Sequence, residues 1–154
     1  MSELLSRRLL QTRCEGPHHE ALLAGMLANA AIDARLDAVF EGTGITQQQY
    51  NVLRILNGVY PGAHSRGEIA HRMVRRAPDL TRMLDRLVRM GYVERMRGEQ
   101  DHRQSLARIT PQGRALLESL LPRVQGTTQM LAARMTAEEA RQLAALAERI
   151  YAED

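Results

Sequence analysis

A few side chains in this sequence could do chemistry, and each is short of partners. Asp101–His102 sets a carboxylate beside an imidazole, the minimum for acid–base work, but it lies between two strand-like runs with no water-excluding pocket in view. His18–His19 could ligate a metal. Adjacent histidines without thiolate or carboxylate spacing read as surface residues, so no metal is expected. Cys14 could be an oxidisable thiol in an arm beside Glu15–Gly16–Pro17, and a redox-responsive role through it stands as an alternative. Met73, Met83, Met90 and Met96 read as core filling rather than a thioether site. The sequence has no serine–histidine–aspartate order, glycine-rich phosphate loop or H-E-x-x-H element. It also has no lysine, all 21 basic residues being arginine, which excludes Schiff-base, pyridoxal phosphate and P-loop chemistry. Neither catalysis nor a cofactor is expected.

What the chain holds in quantity is guanidinium, and its placement is uneven. The formal net charge over 154 residues is only +3. Residues 64–108 carry eleven arginines against six acids, a local +5, and the remainder of the chain carries −2. Three of the five histidines fall in the same stretch. A basic module on slightly acidic flanks is the electrostatic footprint of a nucleic-acid binder.

The elements that would position those arginines follow from periodicity. Leu, Ala, Met and Arg dominate and aromatics make up 3%, which favours helix. Apolar residues from His19 to Phe40 recur at helical spacing, and Gly42 and Gly44 end the run. Thr46–Gln49 reads as a capping box opening a helix through Val52, Leu53 and Leu56. After a Pro61–Gly62 turn, a second box, Ser65–Glu68, opens a short helix expected to end near Val74. Pro78 is expected in the first turn of the next helix, which carries Leu80, Leu84, Leu87 and Val88 and stops at Gly91. Residues 92–97 and 105–109 then alternate as the two strands of the one β-hairpin. Thr110–Pro111 starts another helix, with Pro122 expected to kink it, and Thr136–Glu139 caps a last helix carrying Leu143, Leu146, Ala147 and Ile150. A short helix, a turn, a longer helix and a hairpin make a winged helix-turn-helix. The fold class expected is mostly α with one β-hairpin wing (α+β).

On the longer helix, with its leucines turned to the core, Arg75, Arg76, Thr81 and Arg82 lie near the end that meets base edges in such motifs. Arginine can address guanine O6 and N7 bidentately, and threonine can meet a phosphate or a thymine methyl. Arg86, Arg97 and Ser65 complete the expected DNA contacts, although Arg86 and Arg89 could equally pair with Asp85.

The run from Asp79 through Thr81–Arg82, Asp85–Arg86–Leu87 and Gly91–Tyr92–Val93, with Asp101–His–Arg103 and Thr110–Pro–Gln–Gly113, resembles the MarR family of bacterial transcriptional regulators. The resemblance is continuous from about Ile45 to Leu117. It implies a homodimer with interlocking N- and C-terminal helices, two winged lobes on a pseudo-palindromic double-stranded DNA operator, and a small effector such as a phenolic or aromatic acid. It further implies that Arg103 enters the minor groove and that Asp101 supports the wing. Ala77–Pro78–Asp79 departs from the small hydroxylated residues common there, and Asp79 would repel phosphate unless it caps the helix.

Residues 1–18 then read as an arm, 45–111 as the DNA-binding domain, and 19–44 with 112–154 as the dimerisation region. No run is long enough to cross a bilayer, the start lacks a secretory h-region, and one cysteine suits a reducing compartment, so the cytoplasm is expected. The function expected is a sequence-specific, ligand-responsive repressor. A winged-helix protein–protein adaptor is the competing class, and it would have little use for eleven arginines in one module.

Overall fold

The computed structural model describes residues 2–9, 14–98 and 105–152. The element order is α1 (Glu3–Leu9), α2 (Pro17–Phe40), α3 (Gln47–Asn57), β1 (His64–Ser65), α4 (Arg66–Arg72), α5 (Leu80–Arg89), β2 (Val93–Arg97), β3 (Ser105–Ile109), α6 (Pro111–Ala132) and α7 (Ala137–Tyr151). Two compact units result, Met1–Val39 and Phe40–Asp154. The first consists of α1 and nearly all of α2. Along α2 only Phe40, its last residue, is buried, while Leu22 and Met26 are exposed.

The second unit is built around leucine and isoleucine. Val52, Leu53 and Leu56 of α3, Ile69 of α4, Leu84 and Leu87 of α5 and Ile109 of β3 are each fully buried. Leu117 and Leu120 close the core from α6. Phe40 and Tyr50 meet ring to ring at 5.0 Å, tilted by 44°. The helix starts are fixed locally. Thr46, Ser65 and Thr136 each accept the backbone N–H three residues on, and Gln49, Glu68 and Glu139 accept the cap residue's own N–H in return. Thr110 caps α6 through Gly113 N–H at 3.1 Å, with Pro111 in the first turn. Pro122 lies inside α6 without ending it.

Three details differ from the sequence expectation. The sheet has three strands in the order β1-β3-β2, not a lone hairpin, because His64 and Ser65 pair antiparallel with Ala107 and Leu106. Helix α4 ends at Arg72, where Met73 turns extended and Val74 N–H donates to Asn51 Oδ1 on α3 at 3.1 Å. Pro78 stands before α5 and not within its first turn. Leu80 N–H bonds to Ala77 C=O, so Pro78 occupies the second position of a turn, a site its fixed φ suits equally well.

The root of the hairpin is tightly packed. Gly91 adopts φ +76°, the left-handed backbone that glycine tolerates best. Its carbonyl accepts from Thr110 Oγ1 at 2.6 Å, and Tyr92 C=O accepts from Thr110 N–H at 3.0 Å. A Cβ on Gly113 would collide with the Tyr92 carbonyl and lie 2.8 Å from Ile109 Cγ1.

Gly113→Ala is therefore expected to destabilise the chain by about 1–3 kcal/mol, the range for overpacking, as read by urea denaturation. Hydrogen bonds from the Ser65 and Thr136 backbone N–H, and then from their hydroxyls, hold Glu68 and Glu139 below the usual carboxylate range. A depressed folded-state pKa stabilises above the unfolded pKa, and that contribution is lost as pH falls through the folded value. The melting-temperature advantage of the native chain over Glu68→Gln and Glu139→Gln should accordingly be full near neutral pH, shrink as pH falls below the ordinary glutamate value of 4.5, and vanish in stronger acid once both carboxyls are protonated in the folded chain. An advantage that persists in acid would contradict this account of the caps.

Candidate nucleic-acid interface

Helix α5 fixes the arginine face by burying its opposite side. Leu80, Leu84 and Leu87 recur at i, i+4 and i+7 and are at most 2% exposed. Each contributes about 1.5–3 kcal/mol by leaving water. The remaining faces carry Thr81, Arg82, Arg86 and Arg89, all solvent-exposed. Arg75 and Arg76 lie exposed in the segment leading into the helix. An open cleft of about 500 Å³ on the outer side of α5 is lined by Arg82, Asp85, Val88 and Arg89.

Asp79 stands at the N-cap position but makes no side-chain cap bond. Its carboxylate lies 3.6 Å from Arg82 Nη1, with both side chains largely exposed. The charge that would repel a phosphate is thus set against an arginine and not against orphan amides. At such exposure the pair is worth little as stability.

Helix α4 packs against α5 with its Ile69 fully buried, and the segment that follows it is tied to α3 through the Val74–Asn51 bond. Ser65 caps α4: its Oγ accepts Glu68 N–H at 3.3 Å, and its hydroxyl also bonds to the Glu68 carboxylate. Arg72 turns back along the helix and donates to Glu68 C=O at 3.2 Å. His64, on β1, is only 6% exposed; its Nδ1 lies 3.5 Å from Glu68 Oε1, and among the described residues its Nε2 has no hydrogen-bond partner.

On the wing, the arginines divide into two groups. Arg95 Nη2 donates to Asp85 Oδ1 at 2.8 Å and its Nη1 reaches Ser105 Oγ at 3.4 Å. Arg108 Nε donates to Glu94 Oε1 at 2.8 Å. Both guanidiniums are committed within the fold. Arg97, one β-repeat beyond Arg95, is exposed. Asp85 therefore pairs with the wing rather than with Arg86 or Arg89, a cross-element partnership that helical spacing alone could not reveal. Asp101 and Arg103 lie outside the described residues, as does His102.

Cys14 is half-buried in the segment before α2, and no cluster of three or more His, Cys, Asp or Glu among the described residues could hold a metal. His19 Nδ1 accepts Glu15 N–H at 3.3 Å, a local turn contact. Among the described residues no helix is long and apolar enough to cross a membrane.

Comparison with known proteins agrees with this geometry. A model of the MarR family matches residues 45–105, which span α3 to the start of β3. The homoprotocatechuate degradative operon repressor of Escherichia coli is 27% identical over 135 residues, covering 87% of this chain and 90% of the relative. A crystal structure of a MarR transcription factor from Planctomyces limnophilus is 31% identical, covers 88% of this chain and 98% of its own, and superposes with a TM-score of 0.68. Apo wild-type MarR of Escherichia coli is 30% identical over 82% of this chain and 93% of its own, again with a TM-score of 0.68. With likeness at this level running nearly the full length of those relatives, the chain belongs to the MarR family, whose members are DNA-binding transcriptional regulators and not enzymes.

Proposed function

We propose that the chain is a homodimeric, ligand-responsive repressor that reads a pseudo-palindromic duplex through residues 45–111, with 19–44 and 112–154 as the dimerisation region. The observation that carries this reading is the face of α5: three leucines buried on one side and Thr81, Arg82, Arg86 and Arg89 exposed on the others. Arg75, Arg76, Thr81 and Arg82 address base edges and flanking phosphates in the major groove. Arg86 and the Ser65 hydroxyl anchor phosphates, which fix register without reading sequence. Arg97 follows the wing towards the minor groove, where Arg103 reads its width and Asp101 supports the turn. Two copies place their recognition helices about 34 Å apart, one turn of duplex.

Exposed apolar residues support assembly with a second copy. No residue of α7 is buried, and Leu143, Leu146 and Ile150 are 54%, 58% and 87% exposed. An open, almost wholly apolar cleft of about 530 Å³ lies between α6 and α7, lined by Leu131, Met135, Ala140, Leu143 and Ala147 among others. A lone soluble chain rarely leaves such a face uncovered. The effector class we infer is a phenolic or aromatic acid, which is supported by the relative that represses a homoprotocatechuate degradative operon. The single cysteine suits work in the cytoplasm.

Titrating salt against duplex affinity tests the DNA reading. Log K should fall linearly with log salt at about −0.9 per phosphate engaged, and Arg82→Ala or Arg103→Ala should weaken binding. A flat profile, or no binding to any duplex at low salt, would leave a protein–protein adaptor. Sedimentation should give twice the 17.3 kDa of the chain. Leu146→Glu with Ile150→Glu should shift it to the monomer and reduce duplex affinity in parallel; a double variant that remains dimeric would remove α7 from the interface.

A further inference from the structure

The wing and the recognition helix must present their arginines to one duplex at a fixed angle, and the sheet register shows where that angle is held. Val93, Arg95 and Arg97 share one face of β2, opposite Ile109, Ala107 and Ser105 of β3. At the root this face is core, with Val93, Ala107 and Ile109 buried. At the far end it carries exposed Arg97. Arg95 sits between the two, beside the small Ala107, and Asp85 of α5 takes its guanidinium at 2.8 Å. The Arg95 side chain is 32% exposed and that of Asp85 56%, so the pair lies at the surface just beyond the core. Among the described residues it is the one ion pair between α5 and the wing.

We propose that Asp85 is a positioning residue for DNA recognition. By holding Arg95 it pins the hairpin to α5, so that Arg97, one β-repeat further along the same face, is carried on the side of the exposed α5 arginines. Arg95 itself is spent on this tie and makes no phosphate contact. The inference rests on the DNA-binding reading above and adds to it an acid whose presence in a basic face needs a reason. An isolated aspartate there repels phosphate, so electrostatics alone predicts that removing it tightens binding. A positioning role predicts the opposite sign.

The test uses the full-length chain, a duplex selected by it from a random-sequence pool, and an unselected duplex as reference. Asp85→Asn should bind the selected duplex about three- to fivefold more weakly, the range an edge ion pair can bias. The slope of log K against log salt should become shallower by about one as Arg97 loses its phosphate, a readout that a merely structural role would leave unmoved. The exchanged double variant, Asp85→Arg with Arg95→Asp, restores the tie with inverted polarity and should recover affinity to within about twofold. Equal or tighter binding by Asp85→Asn, or a loss that the exchange does not recover, overturns the proposal and leaves the DNA reading intact. Failure of the unaltered chain to bind either duplex at low salt takes both down.

Discussion

Leu80, Leu84 and Leu87 are spaced so that a ten-residue helix has only one way to hide them, and that choice decides where every other side chain of α5 points. Turning the helix to release Arg82 or Arg86 inward would expose a leucine and bury an unpaired guanidinium, both unfavourable by more than a surface ion pair returns. The arginine face is therefore held from behind. Helix α4 and strand β2 pack against α5, with Ile69 and Val93 buried alongside those leucines, and the Val74–Asn51 bond keeps the intervening turn in place. The direction of the charge is a property of the core.

Concentrating guanidinium on a small module carries its own electrostatic strain, and the described acids within it are placed to manage it. Asp85 and Glu94 neutralise the two wing arginines nearest the core, Arg95 and Arg108. Asp79 lies against Arg82 at the helix start. Glu68 is engaged with the Ser65 cap and lies near His64. The described acids thus shape the field at the root of the module, while Arg76, Arg86, Arg89 and Arg97 remain exposed to solvent. Arginine suits both tasks, since its planar fork can pair with a carboxylate inside the fold and with base edges or phosphate outside it.

Much of this could be read from the chain because the signals are local. The leucine stripe of α5, the alternation at 93–97 and 105–109 and the capping boxes at Thr46, Ser65 and Thr136 each lie within one or two turns of sequence. What escaped was non-local or ambiguous. β1 is two residues long and exists only because β3 lies alongside, so no period could announce it. Asp85 and Arg95 are ten residues apart across a turn, and helical spacing offered Arg86 and Arg89 as more obvious partners. Pro78 fits a helix's first turn and the second position of a β-turn alike, and only the Leu80–Ala77 bond decides between them.

Helix α7 has a well-made N-terminus and no buried residue. A fifteen-residue helix of that kind is marginal alone in water, whatever its cap contributes. In the proposed homodimer its order is borrowed from a second copy, and order that is borrowed obeys mass action. Abundance of the chain then becomes an input alongside any effector: at low copy number the dimerising segment loosens, and occupancy of a two-half-site duplex falls faster than in proportion. Such a regulator would respond to its own synthesis, and a gene under its control would gain a threshold set by how many chains the cell has made.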